Sequence, residues 1–197
     1  AFRKSELEKL SDRYGIEIFT EFGNEAYWNT VLIRQGLGKR RFSVHGPCVT
    51  VNLANRDDSG YKERYERTFT YAKKIGASYV VVHTNESWEG DRAECQNLVR
   101  HRLCRLEGMS RQHEVPMLIE NVGLMENNLF DEEEFISLFS TYAQAAALID
   151  TGHAHVNSWD MRHVIRTLGS RIHAFHIHDN CGLADEHLPV LSGTIDW

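Results

Sequence analysis

The sequence predicts an α/β fold in which a parallel sheet closes on itself as a barrel. Three observations point there. Short apolar runs alternate with helical patterns along the 197 residues, nearly every run ends in His, Asp or Glu, and no glycine-rich phosphate loop follows any of them. Strands alternating with helices imply parallel pairing with helical crossovers. The absent glycine-rich loop removes the usual mark of an open, doubly wound sheet. Polar side chains at strand ends suit a barrel, whose strand tips and following loops share one mouth.

The opening AFRKSELEKLSDRYG reads as a charged amphipathic helix with neither the apolar stretch nor the cleavage site of a signal peptide. GIEIFTE (15–21), RFSVHG (41–46), SYVVVHT (78–84), PMLIENVG (116–123), AALIDTG (146–152) and IHAFHIHD (172–179) read as strands. Between them, YKERYERTFTYAKKIG puts Tyr61, Tyr65, Phe69 and Ala72 at helical spacing and stops at Gly76. DRAECQNLVRHRLCRLEGMSRQHEVP is charged on one side and Leu-containing on the other, and Pro116 begins the next strand. FDEEEFISLFSTYA has Asp131 as its cap and acids in its first turn, where the helix dipole favours them. NSWDMRHVIRTLGS is expected to start at Asn157 or Ser158 and end at Gly169. No proline-rich or low-complexity linker interrupts the series, so one domain over 1–197 is expected.

Composition narrows the function classes. No run is long enough to span a bilayer, and the expectation is a soluble protein. A net charge of −6 works against phosphate backbones, and KRR (39–41) is too short for a DNA track, so nucleic acid is disfavoured. Cys48, Cys95, Cys104 and Cys181 lack paired C-x-x-C spacing, which fits a reduced, cytoplasmic setting. Cys48 and Cys181 lie beside polar motifs, although a buried small hydrophobe is the plainer reading of each. A homo-oligomer is left open.

Strand parity then locates the chemistry. Alternate residues face opposite ways, so Ala174, His176 and His178 share one face of their strand and Phe175 and Ile177 the other. By the same rule Asp150 lies above Leu148, and Glu120 above Leu118. A single His at a strand end is more often a hydrogen-bonded structural residue, and His155, His173 and His178 are evenly balanced taken singly. Five strand ends carrying such groups are different, because that many buried polar groups without a partner would cost several kcal/mol. Neutral imidazole and carboxylate suit a divalent metal, with zinc or manganese expected first and magnesium or cobalt as alternatives.

The blocks HGP, VVH, IEN, LIDTGHAH and HIHDN, followed by GLADEHLPVLSGTIDW, resemble the xylose-isomerase-like TIM-barrel superfamily from about Gly15 to Trp197. That superfamily includes sugar-phosphate isomerases and epimerases and the apurinic-site endonucleases. The resemblance implies a (β/α)8-type barrel and a central metal held by Glu120, Asp150 and His176, with a further Glu matching nothing before Trp197. The endonuclease branch adds two metals, whose ligands match His45, His83, His153, Asp185 and His187. Against the eight strands of a complete barrel the chain supplies six, so an incomplete barrel is expected, lacking the first and last strands and with two open edges needing cover. The implied reaction is isomerisation or epimerisation of a sugar or sugar phosphate, with Glu120 as acid/base as well as ligand. His178 and Asp179 are expected to position substrate or to orient the ligands. A multi-metal phosphodiester hydrolase and a non-catalytic sugar-binding barrel are the alternatives.

Overall fold

Six parallel strands form one sheet in the computed structural model, which describes residues 9–34 and 36–197, and their spatial order follows the sequence. They are β1 (Ile16–Phe19), β2 (Phe42–His45), β3 (Val80–His83), β4 (Met117–Glu120), β5 (Ala146–Asp150) and β6 (Ile172–His176). This is the expected TIM-barrel-like architecture, incomplete as anticipated: among the described residues β1 and β6 are edge strands. The crossovers are α1 (Glu25–Arg34), α2 (Tyr61–Ile75), α3 (Arg92–His113), α4 (Glu132–Thr141), the single-turn α5 (Thr151–Val156) and α6 (Met161–Leu168). No described helix is long and apolar enough to cross a membrane.

Local chemistry sets the element boundaries. Gly76 ends α2 in the left-handed conformation (φ 66°), donating its N–H to the carbonyls of Ala72 and Lys73. Asp91 caps α3 by accepting the Glu94 N–H. Asp131 and Glu134 form a reciprocal capping box on α4, as the acidic FDEEEF start foretells. α6 departs from expectation: it begins at Met161 because the Asp160 carboxylate accepts the N–H groups of Arg162 and His163, which outcompetes a start at Asn157 or Ser158. The strand expected through Gly152 stops at Asp150, whose side chain accepts the His153 N–H and turns the chain into α5. Of the expected N-terminal helix, residues 1–8 lie outside those described, and residues 9–15 form turns and bends.

Parity divides the core in two. Val44, Val80, Val82, Met117, Ile119, Ala147 and Ile149 face outward into one buried cluster with helix residues such as Tyr65, Phe69, Leu103 and Leu138. Val81, Leu118, Ala146 and Leu148, with Tyr79 and Ala174 against them, face inward and fill the concave side. One step further along each strand the same inner face carries Glu17 and Phe19 on β1, His45, His83, Glu120, Asp150 and His176. The apolar layer is therefore the floor on which the polar tips stand.

Leu118 is wholly buried in that floor, two residues before Glu120. Leu118→Ala is expected to destabilise the protein by about 2–5 kcal/mol, the range for emptying a well-packed leucine site. Urea unfolding checks it, and a loss well under about 1 kcal/mol would mean that this layer is not packed core.

Candidate active site and metal centre

The floor carries an unusual burden, a carboxylate only 1% exposed at the tip of a buried strand. Glu120 Oε2 lies 3.0 Å from His83 Nε2 and 3.4 Å from His45 Nε2. Its Oε1 lies 3.0 Å from His176 Nδ1 and 3.8 Å from His153 Nδ1. Asp150, also buried, receives His178 Nε2 at 2.9 Å and the His153 N–H at 2.8 Å, with His176 Nδ1 at 3.8 Å. Asp185 Oδ2 sits 3.0 Å from His187 Nε2 and 3.5 Å from His153 Nε2.

The imidazoles have hydrogen-bond partners outside the Glu120 and Asp185 carboxylates as well. His45 Nδ1 is 2.8 Å from the Gly46 carbonyl, and His153 Nδ1 is 2.9 Å from the Asn121 carbonyl. His83 Nδ1 is 2.6 Å from Glu86, and His176 Nε2 is 2.9 Å from Glu17. A neutral imidazole carries one N–H, so a carbonyl or carboxylate on one nitrogen turns the other's lone pair toward the cluster.

All eight expected metal ligands, His45, His83, Glu120, Asp150, His153, His176, Asp185 and His187, line one cavity of about 560 Å³. Four sets of donor atoms there are close enough to share an ion: Glu120, Asp150 and His176; His45, Cys48 and His83; Asp150, His153 and His178; and His178, Asp185 and His187. The donors suit a divalent cation, since neutral imidazoles and carboxylates are its preferred ligands. Asp185 Oδ1 supports the fit, being buried without a hydrogen-bond partner.

The remaining candidates take up different places. His178 is buried behind Asp150 and orients its carboxylate. A Cβ on Gly152 would come within 2.0 Å of the His178 ring, so only glycine lets the two approach. Asp179 is fully buried outside the cavity lining, accepting hydrogen bonds from Trp197 Nε1 and the Asn180 and Ile195 N–H groups. It fastens the C-terminal segment. His155 pairs with Thr194, and His173 stands on the exposed side of β6. Cys48 is buried and lines the cavity, whereas Cys181 is exposed. The sequence reading missed Glu17 and Glu86. Glu17 could have been found from its parity, which turns it with Phe19 to the inner face, and Glu86 from its position three residues beyond His83.

Charge compensation shifts the ionisations. Burial works against the Glu120 charge, but His83, His176 and His45 outweigh it and hold the carboxyl well below its usual range. Burial likewise opposes protonation of His153 and His176, yet Asp185, Asp150 and Glu120 lift His153 to about 9, and Glu120 and Glu17 lift His176 to about 10. A raised imidazole stabilises the fold below its ordinary value of 6.5, and this contribution is lost as pH climbs through about 9 to 10. A lowered carboxyl stabilises above its ordinary 4.5, and that contribution is lost as pH falls through the folded value. Chelator-treated protein is therefore expected to melt highest between pH 4.5 and 6.5 and progressively lower toward pH 10. A melting temperature that rises from pH 7 to pH 10 would contradict this charge arrangement.

Comparison with known proteins agrees with the geometry. The family model described as xylose isomerase-like TIM barrel matches residues 5–197. The uncharacterized protein y4fM of Sinorhizobium fredii is 30% identical over 135 residues, covering 64% of this chain and 42% of that protein. The chain spans less than two thirds of the length of the curated relatives it matches. Among solved structures, a D-tagatose 3-epimerase-like protein superposes with a TM-score of 0.80 at 20% identity, covering 96% of this chain and 76% of that one. D-psicose 3-epimerase in the presence of D-fructose gives 0.67 at 18% identity, covering 83% and 62%. IOLI protein with a bound zinc atom gives 0.69 at 16% identity, covering 93% and 81%. These likenesses are of fold, and with a family match over nearly the whole length, the chain belongs to the xylose isomerase-like TIM barrel family.

Proposed function

We propose that this protein is a metal-dependent isomerase or epimerase of a small sugar. One observation carries the reading: an ion-sized trio of Glu120, Asp150 and His176 stands at the floor of a cavity of about 560 Å³, on a fold shared with sugar epimerases. The cavity combines apolar surface from Phe19, Val122 and Leu124 with convergent polar groups, the composition of a small-molecule site. Among the described residues no Lys or Arg lines it, which favours a neutral sugar over a sugar phosphate.

Glu120, Asp150 and His176 would hold the divalent ion, which when bound would supply Lewis-acid polarisation of a carbonyl. The chain's own groups do the rest. Glu120 is kept as the carboxylate, the form that accepts a proton, and serves as acid/base as well as ligand. His178 holds the Asp150 carboxylate through Nε2. Burial of this floor excludes water from the proton-transfer step.

A specific observation keeps a second reading alive. The His45–Cys48–His83 and His178–Asp185–His187 groups offer further ion positions, as a multi-metal phosphodiester hydrolase requires. Opposing it, the cavity gathers Glu17, Glu86, Glu120, Asp150 and Asp185, and among the described residues no Lys or Arg lines it to meet a phosphate backbone.

The test follows solvent deuterium entering the carbon next to a ketose carbonyl, across a panel of free sugars with added manganese, cobalt or zinc. Exchange is expected, abolished by chelation and lowered about 10²–10⁴-fold in Glu120→Gln, the usual worth of a positioned acid/base. Metal-dependent cleavage of abasic DNA without exchange on any sugar would promote the hydrolase. Sugar binding without exchange would leave a binding barrel.

A further inference from the structure

Glu17 stands next to the ion-capable cluster without belonging to it. On β1, Ile18 and Ile16 pack outward, and the alternation turns Glu17 onto the concave face, where its side chain is 27% exposed. Both carboxylate oxygens are engaged. Oε2 accepts the Ser43 hydroxyl at 2.8 Å, and Ser43 is its register partner on β2. Oε1 lies 2.9 Å from His176 Nε2.

The His176 ring is thus bracketed, with Nε2 toward Glu17 and Nδ1 3.0 Å from Glu120 and 3.8 Å from Asp150. Only one of these nitrogens can carry the proton of a neutral imidazole and leave the other as a ligand. An ion between Glu120 and Asp150 needs the Nδ1 lone pair, which leaves the proton on Nε2, and Glu17 is the carboxylate that accepts it there. His176 needs the help: it sits on an edge strand with its side chain 28% exposed, and its other ring neighbour is a stacked His45 at 5.9 Å between centroids.

We propose that Glu17 is the positioning residue of the central site: held by Ser43, it fixes His176 with its proton on Nε2 and so presents Nδ1 to the ion. The inference rests on the reading that Glu120, Asp150 and His176 hold a divalent ion, and it adds a residue outside that trio. Since β1 and β6 are the two edges of the sheet, the Glu17–His176 contact also ties the ligand geometry to the curl that brings those edges face to face.

The experiment measures zinc affinity of the whole chain by chelator competition, without substrate, and the nitrogen chemical shifts of the His176 imidazole. Wild type is expected to show zinc on Nδ1 and the proton on Nε2. Glu17→Ala is expected to lose about 10–100-fold in zinc affinity, the usual cost of removing such an outer partner. Glu17→Gln, which keeps a neutral acceptor, should fall between the two, and Ser43→Ala should weaken zinc less than Glu17→Ala. Melting of each chelated variant verifies the fold, and Gln serves as the readout should Ala unfold. Unchanged affinity in a folded Glu17 variant, or zinc on Nε2, would overturn the assignment. A wild type that binds no zinc would overturn both this assignment and the metal reading beneath it. Zinc binding without sugar exchange would remove the sugar reading alone, and Glu17 would still be decided by affinity and tautomer.

Discussion

Burial of the Glu120 carboxylate is the constraint around which the concave face is arranged. A charge taken out of water costs several kcal/mol unless partners replace its hydration. Here the replacement comes from four imidazoles on four other strands or their following turns, His45, His83, His153 and His176. Because each ring must offer a nitrogen to Glu120 or its neighbours, its opposite nitrogen must be satisfied elsewhere, and Gly46, Glu86, Asn121 and Glu17 supply those acceptors. Protons and a divalent ion compete for the same inward lone pairs. Proton-bound and ion-bound forms are alternative ways of neutralising one buried anion.

That arrangement depends on the sheet below it. Parallel pairing puts equivalent positions of neighbouring strands side by side, so His83 pairs with Glu120 and Asp150 with His176 in register. Small and medium apolar residues fill the layer beneath, including Ala146, Ala174, Val81 and Leu148. A one-residue slip in any strand would exchange its ligand tip for an outward apolar side chain. The outward faces of β3, β4 and β5 are almost wholly aliphatic and buried under α2, α3 and α4, which makes such a slip costly.

Legibility in the sequence followed this division. The period-two alternation and polar tips of GIEIFTE, SYVVVHT, MLIE and HIHD were readable because the same rule fixes both the core and the ligands. α1 was not, since EAYWNTVLIR buries only Trp28 fully and has little one-sided pattern, although the Asn24 side chain accepting the Tyr27 N–H marks its start. α5 was hidden because Asp150 ends a strand and caps a helix at once. Glu17 was overlooked because it lies inside a strand instead of at its tip, and Cys48 was noted beside a polar motif but read as a small buried hydrophobe, because burial and proximity to His45 and His83 look alike in sequence. Asp179 shows the converse: HDN suggested a residue that positions substrate or orients the ligands, but neighbouring N–H groups and Trp197 claim its carboxylate first.

The two functional readings meet at Glu120. Its Oε2 faces His45 and His83 while its Oε1 faces His176, so one carboxylate borders both the central ion position and the group containing Cys48. An ion in either place would draw on the same negative charge and weaken the hold on the other, unless further anions contribute. Asp150 and Asp185 lie on the side toward His153, His178 and His187, leaving the Cys48 side with Glu86 as its additional carboxylate. The central trio is rich in oxygen, whereas the Cys48 group offers sulfur and nitrogen, so the two positions differ in softness. Multiple ligands in one mouth therefore do not by themselves demand a cluster of like metals. The charge of the substrate is the stronger discriminator between the two proposals, and a cavity lined with carboxylates and without a described Lys or Arg supports the proposed uncharged sugar over a phosphate backbone.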